Sequence, residues 1–380
     1  MIPSQRHRFQ LPPEVHYFNG AYMSPLLKSV EEAGIAGMVR KRNPTQIRSS
    51  DFFEETEVVK SLFGQIINGH PDQVAINPSV SYGLESAVRN LPVDNGHTAI
   101  VVGNDFPSDY YTICRWCAQH GKQLKVIEAP ETRERRGEQW NQRILEAIDT
   151  DTAVVLMSSI HWADGTLFYF VVIGKRCREV QAKFIVDGTQ SVGARPLDVE
   201  ACQIDALVCA AYKWLLGPYA MGAAWYHEDF NAGKPIEEAW VNRDNAQDFT
   251  SLTQYSSGYT PFFCRYNVGE YSNFILIPMF RAALQQILEW KVDNIAQYCA
   301  VQSAELVMIL QRHGFWVEDA DARAAHLFGA MLPANMDMAS LNEQLAQHNI
   351  FVSRRGEAMR ISTHVYIEKT DIEAFEYALT

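Results

Sequence analysis

The chain of 380 residues has no excess of positive charge: 45 Asp and Glu outnumber 33 Lys and Arg, for a formal net charge of −12. That balance argues against general attraction to nucleic acid or to an anionic membrane, so any anionic ligand must be held by local donors. No stretch approaches 18 consecutive apolar residues, and the opening MIPSQRHRFQLPPEV has no signal-type apolar core. A soluble, cytoplasmic protein is the expectation. Cysteine is sparse: seven residues, an odd count, scattered over a long chain, which argues against a disulfide scaffold. Cys114 and Cys117 form one C-R-W-C pair. With no second pair and no nearby histidine they read as two helix residues, and no metal site is expected. No G-x-G-x-x-G follows a strand-like run, which argues against a nicotinamide dinucleotide site. Internal repeats and low-complexity tracts are absent as well.

What is present is alternation. Short apolar runs rich in β-branched residues fall at Ala99–Gly103, Leu124–Ile127, Ala153–Met157, Phe184–Val186 and Ala206–Cys209, with another strand at Ala220–Tyr226. Helical patterns separate most of them, at Tyr110–Gln119, Asn141–Ile148 and Lys175–Ala182. Two more helices are predicted upstream, over Tyr22–Arg42 and Phe52–Ile67. Strand–helix alternation of this kind predicts an α/β fold, with a mostly parallel seven-stranded sheet flanked by helices. From about Ile277 the texture changes to long helices, Met279–Trp290 and Val292–Arg312. Short strands then follow near Phe315, Leu327, Phe351 and Met359, with a closing helix from Asp371. The expected division is an N-terminal arm over 1–20, a large domain over 21–262, and a linking helix with a smaller α+β domain over 263–380.

In a parallel sheet, ligands sit at the carboxyl ends of the strands. The run KFIVD ends on Asp187, and ALVCAAYKW places Lys213 just past the next strand. Singly, an Asp there is commonly a cap and a Lys is commonly solvated. Together they offer an anion to keep a ring nitrogen protonated and an amine to capture an aldehyde, which is what pyridoxal 5′-phosphate requires. The segment NPSVSYGLESAV adds an anion cup, because Ser79, Ser81 and Gly83 stand at the start of an apolar-periodic helix.

The stretch VDGTQSVG, followed by AAYKWLLGP and a Gly-containing strand, resembles the core of the class V aminotransferase family. YFNGAYMSPL, NPSVSYGL, NDFPSDYY, SSIHWADGT, RYNVGEYSNF and RRGEAMRIS are similar to further family segments, in the family's order. The resemblance covers most of the chain and implies the aspartate aminotransferase-like fold, with pyridoxal phosphate as cofactor. It implies that Lys213 binds the cofactor aldehyde as a Schiff base. Asp187 would partner the ring nitrogen, Gln190 the phenolic oxygen, and Phe106 would stack on the ring where desulfurases carry histidine. Asp109 has a counterpart near the cofactor in kynureninases, although a helix cap explains it equally well. Val80, Ser81 and Tyr212 are implied phosphate contacts. Trp240, Ser272 and Asn273 resemble residues that reach the cofactor from the partner subunit, so a homodimer with shared active sites is expected. Arg360 resembles the arginine that grips the substrate α-carboxylate, whereas Arg354 and Arg355 read as solvated or supporting. Asn19 and Tyr22 are expected to line the substrate pocket. His161 and Trp162 face the cofactor or pack in the core, and His364 reads as structural.

The expected activity is transamination of an amino acid, with a keto acid as second substrate, because it demands the fewest extra groups. A carbon–sulfur lyase or a kynureninase-like hydrolase is the alternative. A non-catalytic binding protein on the same fold is a third reading. A persulfide-forming desulfurase is disfavoured: Gly314–Arg360 holds no cysteine, Cys299 lies in a predicted helix, and Cys264 precedes the dimer-crossing loop.

Overall fold

Strand-length apolar runs with no polar face fit strands covered on both sides, and here they form the centre of the protein. The computed structural model describes residues 2–380. Its first half comprises β1 (His16–Tyr17), α1 (Lys28–Arg40), α2 (Glu54–Ile67), β2 (Val74–Asn77), α3 (Val80–Val88), β3 (Thr98–Val102), α4 (Pro107–His120), β4 (Gln123–Ile127), α5 (Arg136–Ala147), β5 (Thr152–Ser158), α6 (Phe170–Glu179), β6 (Lys183–Asp187), β7 (Ala206–Ala210) and β8 (Gly222–Tyr226). Then come α7 (Leu276–Trp290), α8 (Val292–Arg312), β9 (Trp316–Val317), β10 (Leu327–Met331), α9 (Met338–Gln347), β11 (Ile350–Phe351), β12 (Ser353–Arg355), β13 (Ala358–Ser362) and α10 (Lys369–Tyr377).

Seven strands make one sheet in the order β2-β8-β7-β6-β5-β3-β4. Only β8 runs against its neighbours. Alternate residues feed two cores. Val155, Phe184, Val186 and Leu207 pack on one face with residues of α2, α5 and α6, and Val154, Leu156, Ile185 and Val208 pack on the other with α3 and α4. Gly83 permits the close seat of α3, since a Cβ there would stand 2.6 Å from Val208 Cγ1. A four-stranded antiparallel sheet, β12-β13-β10-β9, lies in the C-terminal part. Beside it β1 pairs in parallel with β11, which ties the N-terminal arm to the end of the chain. No helix among the described residues is long and apolar enough to cross a membrane.

Local expectations need correction at several points. The helix expected over Tyr22–Arg42 begins only at Lys28. Pro25 disfavours helical backbone at Ser24, whose N–H instead donates to the Tyr212 carbonyl at 3.1 Å. The helix expected over Lys175–Ala182 is α6, displaced upstream, because Val171 and Val172 are exposed and obscure its start, and Gln181 turns left-handed at φ +62°. Strand β2 and helix α9 had no counterpart in the sequence reading.

Candidate active site

Strands β5, β6 and β7 end side by side, with Ser158 opposite Asp187 and Asp187 opposite Val208. A cavity of about 330 Å³ opens at these ends, and Asp187 and Lys213 both line it. The Asp187 carboxylate accepts the Thr189 N–H at 2.8 Å. Thr189 Oγ1 accepts from Ala210 N at 3.1 Å, which locks the loop after β6 to the end of β7. Three residues further on, Lys213 is buried, with Nζ 5.5 Å from the centre of the Phe106 ring and 5.8 Å from that of Tyr212. Burial lowers its pKa to about 8, against the opposing pull of Asp187 and with a further push from Arg360. Burial likewise raises the pKa of Asp187. Among the described residues no hydrogen bond or ion pair occupies the Lys213 amine.

The other end of the cavity is built to receive an anion. Ser79 caps α3, its Oγ accepting from Tyr82 N at 3.2 Å, and α4 starts nearby at Pro107. Ser81 and Ser108, in the first turns of these helices, bring their hydroxyls within 3.1 Å of each other. Two helix N-termini with free N–H groups thus meet at one wall. Val80 and Ser81 line it together with Tyr212 and Tyr219, whose rings lie 4.8 Å apart.

Behind Asp187 lies a group of acids that the sequence reading only partly anticipated. Asp105 accepts hydrogen bonds from Phe106 N at 2.8 Å, from Ser158 N at 3.0 Å and from the Ser158 hydroxyl. Asp109 is fully buried, 3.4 Å from Ser158 Oγ, and its Oδ1 has no partner. Burial, then Asp187 and Asp105, hold the Asp109 carboxyl well above the usual carboxylate range. Asp105 and Ser158 were missed. Only the pairing of distant segments brings them together.

Beyond Trp162, Arg360 on β13 is buried, with Nη1 donating to the Trp162 carbonyl at 2.8 Å and Nη2 to Ser353 Oγ at 3.3 Å. Burial, reinforced by Arg355, lowers its pKa to about 9. The Ser353 hydroxyl also donates to Asn19 Oδ1, so Asn19 supports the residue beside Arg360. Tyr22 is 57% exposed, and its N–H donates to the Asn19 carbonyl at 3.0 Å. Trp162 donates Nε1–H to the Asn104 carbonyl at 2.8 Å and meets Phe106 edge-on, with ring centres 5.6 Å apart. His161 is held by Asp164 at 2.9 Å.

Other expected residues stand differently. Gln190 lines the cavity, but its Oε1 accepts from Trp214 Nε1 at 2.8 Å and its Nε2 donates to the Ala21 carbonyl at 3.3 Å. The amide is thus already engaged within the chain. Within one chain Trp240, Ser272 and Asn273 do not reach the Lys213 cavity, and line a separate one of about 440 Å³ with Phe52 and Lys41. His364 is fully buried and stacked on Trp214 and Tyr366. Cys114 and Cys117 both lie in α4. Asp205, His227 and Asp229 cluster at the other end of the strands, beside the starts of β6 and β7, but Lys183 Nζ already contacts both carboxylates, at 3.0 and 2.5 Å.

A buried amine with no hydrogen-bond partner among the described residues, a buried carboxylate beside it, an aromatic ring and a wall of free N–H groups in one cavity fit pyridoxal 5′-phosphate. The aminotransferase class-V family model matches residues 36–375. The uncharacterized aminotransferase YcbU of Bacillus subtilis is 23% identical over 84% of this chain and 81% of its own length. A kynureninase of Pseudomonas fluorescens is 24% identical over 58% of this chain and 53% of its own. Among solved structures, a complex of the cystine C-S lyase C-DES with its product cysteine persulfide superposes with a TM-score of 0.84 and 18% identity, covering 97% of each chain. The chain therefore belongs to the aminotransferase class-V family, with pyridoxal 5′-phosphate as its cofactor.

Proposed function

We propose that the protein is an aminotransferase that exchanges the amino group of an amino acid with a keto acid. The observation that carries this reading is the free Lys213 amine, buried beside Asp187 and lowered to a pKa of about 8. When bound, pyridoxal 5′-phosphate supplies an aldehyde that takes up amines and a ring that withdraws electrons from the substrate α-carbon. Val80, Ser81 and Tyr212 would hold its phosphate, Phe106 would cover the ring, and Asp187 would keep the ring nitrogen charged. Lys213 Nζ takes the proton from the substrate α-carbon. A buried amine poised near neutrality suits both halves of such a transfer. Arg360 orients the amino acid by its α-carboxylate, with Asn19 and Tyr22 beside it.

The working form in this reading is a homodimer. Ile35, Met38 and Val39 on α1, together with Trp240 and Ile275, leave an apolar face exposed. Residues around Ser272 and Asn273 would then serve the partner's cavity, and residues 263–380 would supply the carboxylate end to the cofactor body at 21–262.

Holoenzyme incubated with a panel of amino acids should yield the matching 2-keto acid and a cofactor carrying the amino group. Release of sulfide, alanine or anthranilate would point instead to the carbon–sulfur lyase or kynureninase-like reading. Protein that stays colourless with pyridoxal phosphate would overturn both. Lys213→Ala should abolish the borohydride-fixable colour.

A further inference from the structure

Two arginines, not one, stand at the substrate side of the site. The β12–β13 register pairs Ser353 with Arg360 and Arg355 with Ala358. Strand side chains alternate between faces, so Ser353 and Arg355 share the face on which Arg360 lies, while Arg354 turns to the other. Arg354 is exposed, and its Nε donates to its own turn, to the Gly356 carbonyl at 2.9 Å. Arg355 is half-buried and reaches the ring that Arg360 also reaches. Their guanidinium carbons lie 5.4 and 5.9 Å from the Trp162 ring centre.

Neither guanidinium has an anionic partner among the described residues. Arg360 donates only to the Trp162 carbonyl and the Ser353 hydroxyl, and Arg355 Nη1 only to the Arg354 carbonyl at 2.7 Å. The Nε of each is buried without any partner. The acids nearest in function, Asp187 and Asp109, act on Lys213 instead. Two like charges held together where one is buried and the other half-buried are costly unless counter-charges arrive with a ligand. A single α-carboxylate satisfies one planar fork, and the second remains.

We infer that the substrate is an amino acid with a second anionic group, its α-carboxylate bound by Arg360 and its side-chain anion by Arg355 across the Trp162 ring. The inference rests on Arg360 as the α-carboxylate anchor proposed above, and it makes Arg355 the residue that determines specificity. The shared chemistry is an oxyanion on the side chain, carried by carbon, sulfur or phosphorus.

Calorimetric titration of the holoenzyme tests this without requiring turnover, so its outcome is separable from the reaction type. The ligands are aspartate, glutamate, cysteine sulfinate and O-phosphoserine, each compared with asparagine, glutamine, serine and alanine. At least one acidic ligand should bind about tenfold or more tightly than its neutral counterpart. Which acid wins distinguishes carboxylate from sulfur or phosphorus oxyanions. In Arg355→Gln the ratio of acidic to neutral affinity should fall to near one, and Arg355→Lys should restore part of it. Equal affinity for acidic and neutral amino acids in the wild type, or an equal loss for both classes in Arg355→Gln, overturns the inference. Failure of every amino acid to bind overturns it together with the anchor reading. Tight acidic binding without keto-acid formation would sink only the transaminase assignment.

Discussion

Trp162 holds Arg360 twice, through its main-chain oxygen at 2.8 Å and through an indole ring 5.9 Å from the guanidinium carbon. The same ring meets Phe106 edge-on, so one side chain spaces the proposed carboxylate anchor from the aromatic beside Lys213. The main-chain bond survives substitution, whereas the ring contacts do not. Trp162→Ala should therefore raise KM for the amino donor by about three- to thirtyfold, the range of a partly desolvated cation–π contact, with a smaller fall in kcat. Trp162→Phe should recover most of the loss. Steady-state kinetics on the three proteins checks it.

Capture of pyridoxal phosphate by the apoprotein should follow the neutral fraction of the Lys213 amine, since only the neutral amine is nucleophilic. Burial lowers that pKa to about 8. The capture rate should thus rise with pH and level off above an inflection near 8, well below the ordinary lysine value. Arg360 contributes to the lowering, so Arg360→Met should move the inflection upward. Stopped-flow absorbance from pH 6.5 to 10 reads both.

Asp187 and Asp109 are both buried carboxyls, but their tasks differ. Asp109 is held well above the usual carboxylate range by burial and by its acidic neighbours, which favour its protonated form, and an amide has the same shape without the charge. Asp109→Asn should lower kcat less than about tenfold. Asp187→Asn removes the charge proposed to face the ring nitrogen and should cost on the order of 10²–10⁴. Comparable losses in the two variants would contradict this division.

His326 and His364 are buried neutral around Trp214, their pKa values lowered by burial to about 4 and about 3. The unfolded chain takes up protons near pH 6.5, while the folded protein does not. Stability is therefore complete above that value and is lost as pH falls towards 4 and then 3. His364→Phe keeps the stacking but removes one titrating ring. Its stability against pH, from denaturant unfolding between pH 4 and 7, should be flatter by about one proton equivalent.

The parallel strands were legible because β5, β6 and β7 are buried on both faces and so lack any polar interruption. β2 was not, since Val74–Asn77 is only four residues long and its place depends on pairing with β8. Asp187, Lys213, Phe106 and Tyr212 could be read from local motifs, and one cavity gathers them. Arg355 could not be told from Arg354 in the bare string RRG. Only the register opposite Arg360 separates the inward arginine from the outward one. Ser158 and Asp105 carried no local signal either, as their meeting joins residues 53 positions apart. The engagement of the Gln190 amide with Trp214 and Ala21 likewise reflects a packing of distant segments that no motif encodes.

The arm bearing Asn19 is clasped by late parts of the chain: Phe18 N donates to the Phe351 carbonyl, and Ser362 N to the Phe18 carbonyl, both at 2.9 Å. Synthesis proceeds from the N-terminus, and segments fold as they emerge. Everything from Ser81 to Lys213 leaves the ribosome well before Arg360 does. A growing polypeptide thus carries the residues that line the Lys213 cavity before it carries Arg360, and the first residues made are among the last to find their seat.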